Sequence, residues 1–138
     1  MDNAALLQSI YRAYREKRLA EFLTLLSEDF RYTLHLPEDA IPGADRARSK
    51  AETALLMREV MEKYDFLAFE PGPIIVADGR ASAQPEIKVR HRQTGSVLDT
   101  KLVHTWHVRD GKAVALDERH EVQKIRAFVK SIIDGGGG

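Results

Sequence analysis

Two runs of alternating apolar and polar residues flank Asp110-Gly111, and they constrain the fold of this chain more than any other feature. The runs cover residues 97–109 and 113–122. An Asp-Gly pair between alternating runs is the strongest short-range signal for a β-hairpin. The sequence therefore predicts a long antiparallel hairpin in the second half of the chain.

The length of the hairpin loop decides which residues share a face, because a shift of one residue exchanges the two faces. A two-residue turn puts Ala113, Ala115 and Asp117 on the face of His104 and Trp106.

A three-residue loop over 109–111, with Gly111 in the left-handed region, pairs Val108 with Lys112. We expect this register, because it gathers the larger apolar residues on one covered face. The pairs that it predicts are Trp106 with Val114, His104 with Leu116, Leu102 with Glu118, and Thr100 with His120.

Titratable side chains on that covered face are the candidate functional groups. Polar groups on an apolar face need either partners or a pocket. His104 is accordingly either a core histidine that binds a nearby carbonyl or a pocket residue. Glu118 either lines the pocket or faces solvent in the other register. A histidine and a carboxylate together suit proton transfer, so we take His104 and Glu118 as the candidate catalytic pair.

Further residues are candidates for contact with a small-molecule ligand. Tyr32 points inward on its predicted strand, where its hydroxyl needs a partner. His104, Glu118 and His120 also have the residue types of a two-histidine, one-carboxylate metal site. We nevertheless expect no metal and no cofactor, because a polar pair in an apolar lining suffices for proton transfer. The candidate ligand-binding residues are Tyr14, Tyr32, Trp106, Leu116 and His120.

Composition narrows the class of protein. The 138 residues suffice for one domain, expected over 1–134 and followed by a flexible glycine tail over 135–138. Lys plus Arg and Asp plus Glu both number 21, so no excess of charge attracts nucleic acid or an anionic membrane. There is no cysteine. The first residues lack the features of a signal peptide, so we expect a cytoplasmic protein.

The order of predicted elements indicates an α+β fold. Helical periodicity covers 6–14, 19–26 and 54–64, and a capping-box pattern at 49–52 predicts that the third helix starts at or shortly before that segment. Strand periodicity covers 30–36, 66–70, 74–77 and 81–92. A turn at Thr94-Gly95 would pair Arg90 with Asp99. Residues 127–133 either form a terminal helix or fray. We predict three N-terminal helices packed on one side of a curved antiparallel sheet.

Two segments resemble a known family. They are L-S-E-D-F-R-Y-T-L-H-L-P at 26–37 and W-H-V-R-D-G-K-A-V-A-L-D-E-R-H-E at 106–121. With the order of elements, they resemble the nuclear transport factor 2-like superfamily, and within it the SnoaL-like polyketide cyclases and ketosteroid isomerase-like proteins. The resemblance covers about 4–130. It implies a cone-shaped sheet around an apolar cavity closed by helices.

The functional positions of that family match this chain unevenly. Steroid isomerases carry a catalytic aspartate before a proline at the end of the first strand, whereas here Leu36 precedes Pro37. The resemblance therefore argues against steroid isomerisation. The histidine and aspartate that line the cavity of the polyketide cyclases match His104 and Glu118. The isomerase tyrosine on the first helix falls nearest Ile10.

The resemblance leaves two functions open. One is an enzyme that binds a small, largely apolar carbonyl or hydroxylated compound and transfers a proton, as an isomerase, cyclase or dehydratase does. The other is a non-catalytic ligand-binding or protein-interaction module on the same fold. The resemblance also implies a homodimer formed through the outer sheet face, which carries Val103, Thr105 and His107.

Overall fold

The computed structural model describes residues 2–136, which form four helices and seven strands within that part of the chain. The helices are α1 (Asn3–Arg15), α2 (Leu19–Thr24), α3 (Lys50–Lys63) and α4 (Val122–Gly136). The strands are β1 (Leu26–His35), β2 (Tyr64–Glu70), β3 (Ile75–Ala77), β4 (Arg80–Ala83), β5 (Glu86–His91), β6 (Val97–Arg109) and β7 (Lys112–His120).

Side-chain caps fix where two of the helices begin. The Asp2 carboxylate accepts a hydrogen bond from the backbone N–H of Ala5 at 2.7 Å, at the start of α1. Ser49 and Glu52 form the capping box predicted for α3, each side chain accepting from the backbone N–H of the other residue. These bonds satisfy amide groups that a helix leaves without partners at its first turn.

The seven strands form one curved, unclosed sheet against which the helices pack, so the predicted α+β cone is confirmed. Strand β6 is the longest, and it pairs with β7 on one side and with both β4 and β5 on the other. The sheet is not wholly antiparallel as predicted, because β1 runs parallel to β7. This pairing brings Tyr32 opposite Leu116 and Leu34 opposite Glu118.

The predicted three-residue hairpin loop is wrong. Arg109 pairs with Lys112 across a two-residue turn in which Asp110 and Gly111 both have positive φ, at 51° and 74°. Such a turn matches the right-handed twist of the flanking strands. A register shift in β7 then leaves Val114 without a partner on β6.

The two-residue turn alone would place Asp117 on the face of His104. The bulge shifts the register by one residue and so returns Glu118 to that face. Beyond it, Trp106 pairs with Leu116, His104 with Glu118 and Leu102 with His120. Each β7 partner therefore lies two residues further along the chain than predicted. The imidazole of His104 faces the carboxylate of Glu118 directly rather than diagonally.

The strand predicted over 81–92 is broken in two. Residues between β4 and β5 include Pro85, which has no N–H to donate to a ladder. The expected pairing of Arg90 with Asp99 is also wrong, since Lys88 lies opposite Asp99 and Arg90 opposite Val97. The loop after β5 is longer than a two-residue turn, and the Arg90 guanidinium binds Asp65 at 2.8 Å instead.

The C-terminal segment forms a full helix that closes one end of the domain. Ile125 and Phe128 of α4 pack in a second apolar cluster with Leu36 and Leu98. Gly135 and Gly136, which the sequence placed in a flexible tail, are part of this helix, whereas Gly137 and Gly138 lie outside the described residues. No helix within residues 2–136 is long and apolar enough to cross a membrane.

Candidate functional site

A small pocket lies between the helices and the sheet. Its volume is about 50 Å³, and aromatic and aliphatic side chains from α1, α2, α3 and the sheet make up most of its wall. Its size admits only a compact molecule unless side chains move. The residues of the wall that carry polar atoms are Tyr11, Tyr14, Tyr32, Thr53, His104, Trp106 and Glu118.

A continuous series of buried hydrogen bonds runs along this wall. The indole N–H of Trp106 donates to the Tyr11 hydroxyl at 2.9 Å, and that hydroxyl lies 2.7 Å from Nδ1 of His104. Nε2 of His104 lies 2.7 Å from Oε1 of Glu118. Helix α1 and strands β6 and β7 thus contribute to one connected network.

Glu118 receives hydrogen bonds from three side chains. Besides His104 at Oε1, the hydroxyl of Tyr32 donates to Oε2 at 2.9 Å, and Nε2 of His120 lies 2.8 Å from the same oxygen. Glu118 is only 8 % exposed, so its carboxylate depends on these donors rather than on water. It is held in place on both of its oxygens.

Counting protons assigns the tautomer of His104. An indole N–H can only donate, so the Tyr11 oxygen accepts from Trp106 and its single proton points to Nδ1 of His104. Nδ1 is then unprotonated, and the ring carries its proton on Nε2, which donates to Glu118. The group is a hydroxyl–imidazole–carboxylate series, the arrangement in which a carboxylate orients a histidine base.

Electrostatics keep Glu118 ionised and the tyrosines protonated. Burial raises the pKa of Glu118, but the hydrogen bonds from His104 and His120 outweigh burial and lower this pKa well below its usual range. Burial also raises the pKa of Tyr11, opposed by the bond from Trp106. Glu118 is consequently a weak base, better suited to orienting His104 than to accepting a proton.

The Tyr14 hydroxyl is the polar group of the wall that is free to bind a ligand. Burial raises the pKa of this phenol, and the negative charge of Glu118 adds to the rise. Its ring packs against Phe22, Phe66 and Phe69, and its hydroxyl makes no hydrogen bond within the described residues. Tyr14 therefore offers a hydrogen-bond donor in apolar surroundings.

The structure gathers most of the residues that the sequence nominated. His104, Glu118, Tyr14, Tyr32, Trp106 and Leu116 all line the pocket. His120 does not line it and reaches it only through Glu118; its Nδ1 is buried without a hydrogen-bond partner among residues 2–136. In the described chain, no group of three His, Cys, Asp or Glu residues is arranged to hold a metal ion.

Tyr11 is the site residue that sequence reasoning missed. It lies on the buried stripe of α1, where an aromatic residue is most simply core, and its partners His104 and Trp106 are more than 90 residues away in the chain. The available signal was the rule that a buried tyrosine hydroxyl needs a partner.

A second carboxylate flanked by histidines lies on the outer face of the same strand. Oδ1 of Asp117 lies 2.8 Å from Nε2 of His35, and Oδ2 lies 3.4 Å from Nε2 of His107. These three side chains are about one-third exposed, whereas His104 and Glu118 are nearly inaccessible. Asp117 and Glu118, which are adjacent in β7, thus each contact two histidines. The first carboxylate is partly exposed to solvent, and the second is buried.

The lowered pKa of Glu118 predicts that the protein loses stability in acid. A carboxyl whose pKa is lower in the folded chain stabilises the fold above its unfolded pKa of about 4.3, and this stabilisation disappears as the pH falls below that value towards the folded pKa. Denaturant unfolding at several pH values from 7 down to 3 measures how the unfolding free energy depends on pH. Asp117, Asp65 and Glu52 act with the same sign. Glu118→Gln should therefore reduce the loss of unfolding free energy between pH 7 and pH 3 more than Asp117→Asn does. If it does not, Glu118 is not the main source of the acid sensitivity.

Known structures share this fold at low sequence identity. A nuclear transport factor 2-like protein of unknown function from Burkholderia pseudomallei is 21% identical, with 94% of this chain and 98% of that chain covered and a TM-score of 0.79. An epoxide hydrolase from M. tuberculosis, of the LEH-like type, is 14% identical, with coverages of 96% and 90% and a TM-score of 0.72. A protein with a ketosteroid isomerase-like fold from Catenulispora acidiphila, in complex with trimethylamine, is 9% identical, with coverages of 89% and 90% and a TM-score of 0.73.

At these identities the structures establish the fold and leave the activity open. No curated protein has a sequence that matches this chain. A family model, that of the SnoaL-like domain, matches residues 7–116. The match spans most of the chain and includes most of α1, all of β1 and the hairpin strand β6, which supply Tyr11, Tyr32 and His104. The chain belongs to the SnoaL-like domain family.

Proposed function

We propose that this protein binds a compact, largely apolar carbonyl or hydroxylated compound in the pocket and transfers a proton to or from it. The reaction would be of the isomerase, cyclase or dehydratase type. The observation that supports this proposal is the connected series from Tyr11 through His104 to Glu118 in the wall of an apolar pocket.

The proton would move through Tyr11 to His104. Tyr11 passes its proton to Nδ1 of His104 while its oxygen accepts a proton from the ligand, so the phenol is unchanged and the imidazole becomes an imidazolium. The ionised carboxylate of Glu118 stabilises that cation at a distance of 2.7 Å. A reversal of these steps returns the proton elsewhere on the ligand, as an isomerisation or dehydration requires.

Tyr14 would bind the oxygen of the ligand. Negative charge develops on a carbonyl oxygen when a neighbouring carbon loses its proton, and a donor fixed in an apolar pocket stabilises that charge strongly. The Tyr14 hydroxyl has no other partner in the described chain and remains protonated, because its pKa is raised. Tyr32 is committed to Glu118 and would act by positioning that carboxylate.

The pocket volume favours a small ligand. Sites for drug-sized molecules typically measure about 300–1,000 Å³, several times the 50 Å³ found here. One structural neighbour holds trimethylamine, which is a very small molecule. A steroid or a multi-ring polyketide would require large movements of the aromatic wall.

Solvent exchange tests the proposal without knowledge of the natural substrate. Small ketones and aldehydes are incubated with the protein in D₂O, and loss of the proton next to the carbonyl is followed by NMR. We expect exchange faster than in buffer, reduced about 10²-fold in Tyr14→Phe. Tyr64→Phe is the matched control, since Tyr64 lies outside the pocket wall and packs against His91 and Phe128.

A non-catalytic ligand-binding module is the second candidate. It is favoured by the fact that both nitrogens of His104 are already hydrogen-bonded within the protein, which makes the network a self-sufficient structural element. Compounds that bind the pocket with no exchange above the buffer rate would establish this function and overturn the catalytic one.

We predict that the protein contains no metal, because the series from Tyr11 to Glu118 can move a proton without one. Elemental analysis of protein purified without added metal tests this. Stoichiometric zinc or iron would contradict the prediction and make His104, Glu118 and His120 the candidate ligands.

We also propose that the protein is a homodimer joined through the outer sheet face. Apolar side chains are exposed there, with Val103 at 40% and Ile75 at 67%. Such a patch is unusual on the free surface of a monomer. Light scattering at tens of micromolar should give twice the monomer mass of 15.6 kDa, and Val103→Lys should halve the observed mass. A monomeric wild-type protein contradicts the proposal.

A further inference from the structure

A groove on the outside of α1 is much larger than the interior pocket. It has a volume of about 440 Å³, within the range of about 300–1,000 Å³ typical of small-molecule sites, whereas the pocket measures about 50 Å³. One side is the helix, with Gln8, Arg12 and Arg15, and the other is the turn between β2 and β3, with Pro71, Pro73 and Ile74. Its lining combines two cations with an apolar wall.

The two guanidinium groups of this groove lack acidic partners. The side chains of Arg12 and Arg15 make no ion pair or hydrogen bond within residues 2–136, and no Asp or Glu lines the groove. Their spacing of three residues puts both on one side of the helix. Six of the eleven other arginines of the described chain have carboxylate partners, as in the pairs Arg46–Glu52, Arg109–Asp29 and Arg126–Asp39.

Position in the helix accounts for only part of this arrangement. Both arginines lie in the last turn of α1, where a cation is favoured by the helix dipole. That effect would stabilise a cation on any side of the turn, and it gives no reason for both to face a groove. Two unpaired guanidinium groups in one concave surface repel each other, and an anion bound between them would relieve this repulsion.

The opposite wall of the groove is preformed. Pro71 and Pro73 have fixed φ angles, and Gly72 between them adopts a φ of 70°, which other residues rarely tolerate. A turn held in this way loses little entropy when a ligand binds. Its apolar surface suits the organic part of a molecule whose charged end lies at the arginines.

We propose that the groove between α1 and the 71–74 turn binds a small organic anion, a phosphate or a carboxylate attached to an apolar group. Arg12 and Arg15 hold the anion through paired N–H donors, the geometry in which guanidinium groups bind these two oxyanions. The apolar group of the ligand lies on Pro71, Pro73 and Ile74. The groove borders Tyr11, which also lines the interior pocket, but Arg12, Arg15 and the 71–74 turn do not line that pocket. The anion site does not depend on the function proposed for the pocket.

NMR titration of the intact protein tests this site through the arginine Nε–H signals. Phenyl phosphate and benzoate are the two probes, and benzyl alcohol is the uncharged control. We expect saturable shifts at Arg12 and Arg15 with an anionic probe and none with the alcohol. The probe that binds more tightly identifies the oxyanion. Raising the salt from about 0.05 M to about 0.5 M should weaken binding, because the interaction is exposed.

Variants locate the site. The double variant Arg12→Gln/Arg15→Gln should weaken binding at least about tenfold, whereas Arg58→Gln, which removes an exposed arginine of α3, should not. Tyr14→Phe should leave groove binding unchanged, which separates this site from the interior pocket. Three outcomes would overturn the proposal. The anionic probes do not bind, their binding does not depend on salt, or it is unchanged in the double variant. Circular dichroism confirms that each variant is folded.

Discussion

Glu118→Gln is expected to cost about 3–5 kcal/mol of unfolding free energy at pH 7, because it removes the charge on which three buried donors converge. An amide has one acceptor oxygen where the carboxylate has two. If that oxygen accepts from Tyr32 and His120, the amide nitrogen faces Nε2–H of His104, donor against donor. The ring of His104 must then adopt its other tautomer, which leaves the proton of Tyr11 without an acceptor.

The same substitution should remove proton transfer. With the tautomer reversed, Nδ1 of His104 carries a proton and cannot accept one from Tyr11. We expect exchange in the NMR assay to fall about 10²-fold or more. Retained exchange in a folded Glu118→Gln protein would exclude His104 as the base.

Asp117→Asn is the matched control on the neighbouring residue. It also converts a carboxylate that lies between two histidines into an amide, but these groups are partly solvated. Water can replace the lost bonds, so we expect a change within about 1 kcal/mol. Urea unfolding of both variants at pH 7 gives the comparison. Equal losses in the two variants would show that burial of the inner network has no special effect.

The faces of the strands could be predicted because side chains alternate with a period of two. Both hairpin predictions had the wrong register, yet each error moved the pairing by two residues and therefore kept the face. In the hairpin at Asp110-Gly111, the two-residue turn moves the pairing by one residue and the bulge at Val114 moves it by another. Alternation in sequence cannot reveal a bulge, since the residue that interrupts the pairing is itself an ordinary strand residue.

The site was less predictable than the fold because its hydrogen bonds join distant parts of the chain. His104 and Glu118 were found as polar residues on an apolar strand face. Tyr11 was not, because helical periodicity marks it as core and only the packing of α1 on β6 brings its hydroxyl to His104. Its bond to His104 favours the histidine over Glu118 as the base of the pair, a choice that the sequence left open. The break at Pro85, in contrast, was predictable, because a proline has no N–H to donate to a strand ladder. The alternating pattern of 81–92 nevertheless led to the prediction of one continuous strand.

Trp106→Ala should cost about 3–5 kcal/mol in unfolding free energy, because Trp106 is only 2 % exposed and is among the largest fully buried side chains of the described residues. Its ring meets those of Tyr11 and His104 edge-on, with centroids 5.9 and 5.8 Å away. Trp106→Phe keeps an aromatic ring and removes the N–H donor to Tyr11, so it separates packing from hydrogen bonding.

We expect Trp106→Phe to cost less than half as much as Trp106→Ala. The oxygen of Tyr11 loses a donor in this variant, but the Tyr11 proton still has its acceptor on His104, and an unfilled lone pair is a smaller penalty than an unpaired N–H. Trp106 is the single tryptophan of the chain, so unfolding must be followed by circular dichroism. If Trp106→Phe destabilises the protein as much as Trp106→Ala, the indole hydrogen bond contributes more than the packing of the ring. The network from Trp106 to Glu118 would then stabilise the fold itself, which favours the non-catalytic function.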